Sequence, residues 1–259
     1  MTTPDRPDTA RRALAALDLT SLGEDDMPAH IEQLCAAAAG AGGPPAAVCV
    51  YPEHIATARQ ALDRLGLQQV RIATVTNFPD GSADAARAVR ETRRAVAAGA
   101  DEVDVVFPWR AFREGQHETA AHLVAASKAA CGARPLKVIL ETGELGDAGL
   151  IRDAADCALA AGADFIKTST GKVAVNATPA AARIMLEAIR DHGGSAGFKA
   201  AGGVRTVADA AAYFALADAI LGPAWATPAH FRLGASGLLA DIRAVLGAAR
   251  AGTQPGAGY

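Results

Sequence analysis

Short apolar runs recur along the chain, separated by alanine-rich stretches with helical spacing. The runs are AAVCVY (46–51), VRIATVT (70–76), EVDVVF (102–107), LKVILE (136–141), DFIKTS (164–169), GFKAAG (197–202), DAILG (218–222) and FRLGAS (231–236). Their length and β-branched or aromatic content suit strands. Helical patterns lie between them near 53–65, 82–98, 115–131, 147–161, 179–192 and 206–216, with one more at 236–249. Such alternation predicts parallel strands joined by helical crossovers, and eight units in 259 residues fit an α/β fold of the (β/α)8 TIM-type barrel. The stretch between 218 and 236 leaves space for only a very short helix.

Two more helical patterns, near 8–17 and 28–39, precede the first run and are joined by DLTSLGEDDMP. They are expected to be extra N-terminal helices capping the bottom of the barrel. Gly/Pro clusters such as GAGGPP (40–45) fit single loops, so one domain over 1–259 is expected. Residues 1–8 and 250–259 are expected to be flexible; RAGTQPGAGY has a tail's composition.

A barrel strand turns alternate side chains inward and outward. In EVDVVF, Val103 and Val105 suit the helix layer, which leaves Glu102 and Asp104 on the other face. By the same alternation LKVILE turns Lys137, Ile139 and Glu141 inward, and DFIKTS places Phe165, Lys167 and Ser169 together. Lys199 takes the matching place in GFKAAG. An interior built for stability alone would use Val, Ile and Leu. Lys137 and Glu141 read best as a buried ion-pair network fixing the strands. Lys167 and Lys199, two cations on adjacent strands, repel each other and need another reason.

Composition narrows the classes. Hydrophobic residues make up 51% and charged residues 20%, with a formal net charge of −3. That balance offers nothing to attract nucleic acid or an anionic membrane surface. No apolar run approaches the ~20 residues that cross a bilayer. MTTPDRPDTARR lacks the apolar core of an export signal, so a cytoplasmic protein is expected. Cys35, Cys49, Cys131 and Cys157 form no CxxC pair and read as reduced thiols. The six histidines form no HExxH, no GxGxxG follows a strand, and no Walker-type phosphate loop occurs. No metal and no cofactor are expected.

An unperturbed lysine is neutral in only ~1 molecule in 2,500 at pH 7. A second ammonium about 6 Å away, at an effective dielectric near 20, disfavours its proton by on the order of 2–3 kcal/mol. Burial adds to that. A neighbouring cation plus desolvation is a known way to ready an amine for Schiff-base formation. Lys167 fits that amine, Lys199 its pKa-lowering neighbour and proton carrier, and Asp104 a proton donor or acceptor.

The segments ALDLTSL (16–22), AAVCVYP (46–52), RIATVTNFP (71–79), GADEVDVVFP (99–108), KVILETGEL (137–145), DFIKTSTGKVAVNATP (164–179) and GFKAAGGVRT (197–206) together resemble the 2-deoxyribose-5-phosphate aldolases. The resemblance runs in order from about residue 14 to 240; DFIKTSTG and KAAGGVRT are its most specific parts. It implies a metal-free class I aldolase with Lys167 as the Schiff-base lysine, Lys199 as the proton-transfer lysine and Asp104 as the catalytic aspartate. It also implies a homodimer and reversible cleavage of a phosphosugar, 2-deoxy-D-ribose 5-phosphate, in deoxyribonucleoside catabolism. Asp18 and Thr20 match substrate-side polar residues of the family, although DLT alone reads as an N-cap or turn.

Phosphate favours backbone N–H groups at helix starts, with glycine allowing close approach. Three loops qualify: Thr170, Gly171 and Lys172; Gly202, Gly203, Val204 and Arg205; and Gly234 with Ser236. Taken singly they also read as ordinary turns, and Lys172 as a solvated cation; the resemblance moves all three toward phosphate. Ala200 stands where relatives have proline, and Gly237 where they often have a second serine. Cys49 aligns with a strand-one cysteine of related enzymes and reads as packing, or as a site of inactivation by an aldehyde product. Tyr259 ends the chain as in some relatives, which implies a tail that relays a proton to the enamine or a tail without a role. Other readings are an isomerase using a lysine electrostatically, a pyridoxal-phosphate enzyme, or a silent phosphometabolite-binding protein.

Overall fold

Eight parallel strands close into a barrel, each paired with the next in chain order and the last with the first. The computed structural model describes residues 6–252. The chain enters through α1 (Arg6–Ala15), then β1 (Leu17–Thr20), α2 (Pro28–Ala38), β2 (Ala47–Val50), α3 (Ile55–Arg64) and β3 (Arg71–Thr76). It continues through α4 (Ala85–Ala97), β4 (Glu102–Val106), α5 (Trp109–Arg113), α6 (His117–Cys131), β5 (Leu136–Ile139), α7 (Thr142–Leu145) and α8 (Ala148–Ala160). The last quarter holds β6 (Phe165–Lys167), α9 (Pro179–Asp191), β7 (Gly197–Ala201), α10 (Val207–Leu221), β8 (Phe231–Ala235) and α11 (Leu238–Gly252). No described helix is long and apolar enough to cross a membrane.

Local chemistry sets the helix starts. Asp84, Asp147, Thr178 and Thr206 each accept a hydrogen bond from an amide of the first turn that follows. Pro179 opens α9 with its ring already at helical φ. Outward strand residues such as Val48, Ile72, Val103, Val138 and Ile166 pack with the helices in one apolar layer.

The barrel is the expected one, but the strand count was reached through the wrong members. LDLT is β1, hydrogen-bonded to β2 and β8, so it closes the barrel rather than joining two capping helices. Leu17 and Leu19 enter the apolar layer while Asp18 turns inward to bond interior cations. A four-residue strand with an acid at its centre leaves little periodic signal. DAILG is not a strand. Val207, Ala210, Tyr213, Phe214 and Ala217 are buried at helical spacing, and nothing breaks α10 before Gly222 at φ 93°. Of the two helices expected to be N-terminal extras, only α1 precedes the barrel, and it packs beside α10 and α11; α2 is the β1–β2 crossover and packs on α3. Residues 6–8 form the first turn of α1, which a two-bond Arg12–Asp218 pair ties to α10, and residues 250–252 extend α11. Tyr259 lies outside the described residues.

The barrel floor depends on a size match. Phe165 pairs in register with Gly197, whose missing side chain makes room for the ring. A Cβ there would overlap the Phe165 ring, and Arg232 lies over that ring at 5.8 Å. Gly197→Ala is expected to destabilise the fold by about 1–3 kcal/mol through overpacking, read as a lower urea midpoint with unchanged slope.

Candidate active site

The inward side chains of six strands form one charged cluster centred on a single carboxylate. Asp104 on β4 accepts from Lys137 at 2.7 Å on one oxygen, and from Lys167 at 2.9 Å and Lys199 at 2.8 Å on the other. Register explains the convergence: Asp104 lies opposite Lys137, and Lys167 opposite Lys199. Below them Lys137 also meets Glu102 at 2.7 Å, and Lys199 also donates to Asp18. Arg232 on β8 completes the cluster, donating to Asp18 at 2.7 Å and to both oxygens of Glu102 at 2.8 and 2.9 Å. Inside the barrel Lys137, Lys167, Lys199 and Arg232 thus face three carboxylates, Asp18, Glu102 and Asp104.

Four cations against three anions leave one positive charge unmatched, and the surroundings decide which group gives it up. Burial drives the Lys167 amine below its ordinary pKa; Lys199 adds to that, while Asp104 opposes both. Burial would do the same to Lys199, but Asp104 and Asp18 outweigh it and hold its ammonium well above the ordinary range. Lys137 is likewise kept charged against burial, by Asp104 and Glu102. Burial alone would raise the Asp104 carboxyl, yet the three lysines hold it well below the usual range. Lys167 is therefore the amine that sheds its proton most readily. It is also the one of the three lysines that lines the open cavity.

That cavity, about 700 Å³, lies at the C-terminal ends of β1, β6, β7 and β8. Thr20, Thr170, Gly171, Lys172, Gly202, Gly203, Val204, Arg205, Gly234 and Ser236 all line it. Among the described residues the amides of Gly202, Gly203, Val204, Ser236 and Gly237 donate to no protein acceptor, so the cradle is free for an anion. The Arg205 amide is not free, because Asp209 accepts it at 2.9 Å, and Asp241 takes the first amide of α10 at 2.7 Å. Lys172 reaches across the mouth and donates to the Leu22 carbonyl at 2.7 Å.

Some residues stand elsewhere than the sequence indicated. Asp18 does not line the cavity; it is fully buried beneath it between Lys199 and Arg232. Glu141 makes no pair with Lys137. The strand ends at Ile139, and Glu141, at φ 58°, turns away to accept from the Thr170 amide and hydroxyl at 3.2 and 2.6 Å. Burial raises its carboxyl. Cys49 faces the interior beside Ala73 and Val75, with burial pushing its thiol up. Arg232 and the part played by Glu102 were missed; period-two alternation in FRLGAS and EVDVVF was the signal available. Among the described residues no three His, Cys, Asp or Glu side chains are grouped as metal ligands.

A parallel barrel with a lysine at the open end of its strands is compatible with carbon–carbon bond cleavage by the aldolase class. The chain belongs to the DeoC/LacD family of aldolases, whose family model matches residues 12–241. Among solved structures it is similar to a protein from Coccidioides immitis assigned as a deoxyribose-phosphate aldolase, at 30% identity, TM-score 0.78, covering 94% of this chain and 88% of that one. A Toxoplasma gondii protein with the same assignment superposes at TM-score 0.88 and 25% identity, covering 94% of this chain and 96% of that one. The tetrameric deoxyribose phosphate aldolase of Aeropyrum pernix shares the fold at TM-score 0.70 and 24% identity, covering 93% and 91%.

Gly234 bears on the placement of Lys199 through packing. A Cβ there would meet Lys199 Cε at 3.0 Å and Ala201 Cβ at 3.1 Å. Lys199 cannot yield, because Asp18 and Asp104 pin its ammonium. Gly234→Ala is expected to lower kcat about tenfold and also to lower the melting temperature by several degrees through overpacking, measured by steady-state kinetics beside a thermal scan.

Proposed function

We propose that this aldolase cleaves 2-deoxy-D-ribose 5-phosphate reversibly to acetaldehyde and D-glyceraldehyde 3-phosphate through a Schiff base on Lys167. The observation that carries the reading is Lys167 at the cavity floor, sharing one Asp104 oxygen with Lys199, where burial and Lys199 lower its pKa and make it the readiest of the interior amines to lose a proton. Two relatives at 25% and 30% identity bear the deoxyribose-phosphate aldolase assignment.

In this mechanism the Lys167 nitrogen adds to the C1 aldehyde of the open-chain sugar, and loss of water leaves an iminium. The C3 hydroxyl gives up its proton, the C2–C3 bond breaks, and its electron pair moves into the iminium to form an enamine. D-glyceraldehyde 3-phosphate departs with C3 as its new aldehyde. The enamine takes a proton at C2, and water hydrolyses the resulting iminium to acetaldehyde and free Lys167. Lys199 relays the protons through water. Lys199 is the donor, and Asp104 is the fixed anion that aligns both amines.

The phosphate would rest on the free amides of Gly202, Gly203 and Val204 and on those of Ser236 and Gly237 before α11. Thr170, Gly171 and Lys172 face it from the β6–α9 loop. Thr20 belongs to the sugar end. Arg205 contributes its side chain, since its amide is engaged. We place the enzyme in the cytoplasm as a homodimer.

The test is to add acetaldehyde, reduce with cyanoborohydride and map the ethylated peptide. The adduct is expected on Lys167, and its absence there overturns the reading. Lys199→Leu should raise the pH at which trapping is half-maximal, because Asp104 then favours the Lys167 ammonium with less competition. An unchanged midpoint would remove Lys199 from the activation of Lys167.

Gly237 offers a second handle. A Cβ there meets nothing within 4 Å, so a serine fits. Gly237→Ser is expected to lower KM for the phosphorylated sugar roughly 3- to 10-fold by one added charge-assisted bond. KM for the unphosphorylated sugar should not move. Equal effects on both sugars would place the phosphate elsewhere.

A further inference from the structure

Arg232 takes no part in the proposed bond-making, yet it is built into the same network. Its guanidinium is 3% exposed at the residue level and makes five contacts: one to Asp18, two to Glu102, one to the Pro228 carbonyl at 2.6 Å, and the Phe165 ring. It does not line the cavity. Through Asp18 it connects to Lys199, which shares the Asp104 oxygen that holds Lys167.

The charges around Lys167 can be followed strand by strand. β1 presents Asp18, β2 the Cys49 thiol, β4 Glu102 and Asp104, β5 Lys137, β7 Lys199 and β8 Arg232. β3 presents Ala73 and Val75, which carry no charge; its Arg71 meets Glu102 from the half-exposed rim. Glu141 follows β5 and is held by Thr170. Leaving Lys167 out, the hydrogen-bonded cluster around Asp104 holds three cations and three carboxylates, which sum to zero; Glu141 is buried outside that cluster, where burial raises its carboxyl. Arg232 supplies the third cation. Without it the surroundings of Lys167 carry a net negative charge, and a protonated Lys167 is favoured.

We propose that Arg232, acting through Asp18 and Glu102, is a positioning residue that keeps Lys167 uncharged by completing the charge balance beneath it. The proposal rests on Lys167 being the imine-forming amine. Its structural element is the fork of Arg232, which occupies one oxygen of Asp18 and so leaves the other to Lys199. A lysine at 232 keeps the charge but loses the bidentate grip on Glu102.

The experiment measures cyanoborohydride trapping of acetaldehyde on Lys167 against pH, in the full-length chain and in variants. Arg232→Gln should raise the midpoint by about one pH unit, the size of one unscreened charge a few contacts away. Arg232→Lys should hold the midpoint near that of the unaltered enzyme even if kcat falls. Glu102→Gln, which deletes an anion, should lower the midpoint and reads the same balance if Arg232→Gln does not fold. The double variant Arg232→Gln with Glu102→Gln should return it. Midpoints that stay together across all variants, with the adduct still on Lys167, overturn the proposal. No adduct on Lys167 in the unaltered enzyme overturns the Schiff-base reading instead, so the two failures are distinct.

Discussion

Three ammonium groups converge on Asp104, and the interior of the barrel is arranged around the impossibility of matching all of their charges. Taking each such group out of water costs several kcal/mol even after relaxation. Val, Ile and Leu would fill the same space without that cost. Lys137, Lys199 and Arg232 recover much of it from Asp18, Glu102 and Asp104 at hydrogen-bond distance. Lys167 has Asp104 alone and shares it. The cluster as a whole is a poor device for stability and a good one for singling out a nitrogen.

Strands and loops divide the work. The charged groups sit on strands, where parallel hydrogen bonding fixes each Cα against its neighbours. The unpaired amides that line the cavity sit on the loops that follow, where Gly171, Gly202 and Gly203 adopt φ of 85°, 80° and 88°. Glycine at 202 also admits Asn176 of the neighbouring loop, since a Cβ would come within 2.6 Å of it. Glu141 links the two parts by clamping Thr170 beside the mouth. Thr168 and Ser169 fasten the end of β6 to the Ala201 carbonyl on β7, so the strand bearing Lys167 and the loop bearing Lys172 share one anchored segment.

What the sequence made legible follows from how each feature is encoded. Lys167, Lys199 and Asp104 were readable because charge in an apolar alternating run has few explanations. The cavity loops were readable because glycine clusters directly after strands. β1 was not, because LDLT is as short as a turn and its acid suited an N-cap. DAILG was misread because Ile and Leu fit a strand, while the deciding burial lies upstream, in Val207 through Ala217. Glu141 kept the parity of the run on paper, but the strand stops before it and a left-handed residue reverses its direction. Arg232 obeys the alternation in FRLGAS, but its partners Asp18 and Glu102 lie 214 and 130 residues away in the sequence, so nothing local marks its pairing.

Two adjacent lysines in a dry pocket do not by themselves say which will lose its proton. Repulsion is mutual, and burial acts on both. The choice is made by the count of carboxylates within reach: Asp18 and Asp104 for Lys199, Asp104 alone for Lys167. Asp18 is committed to Lys199 because Arg232 occupies its other oxygen and Lys137 stays 3.9 Å away. The difference between the two lysines thus reaches back to the far side of the barrel, to a residue that does not line the cavity. A closed barrel suits this arrangement, since β1 and β8, the ends of the chain's strand order, must be neighbours for Asp18 and Arg232 to meet. An open sheet with the same strands would separate them, and Lys199 would lose the second anion that distinguishes it from Lys167.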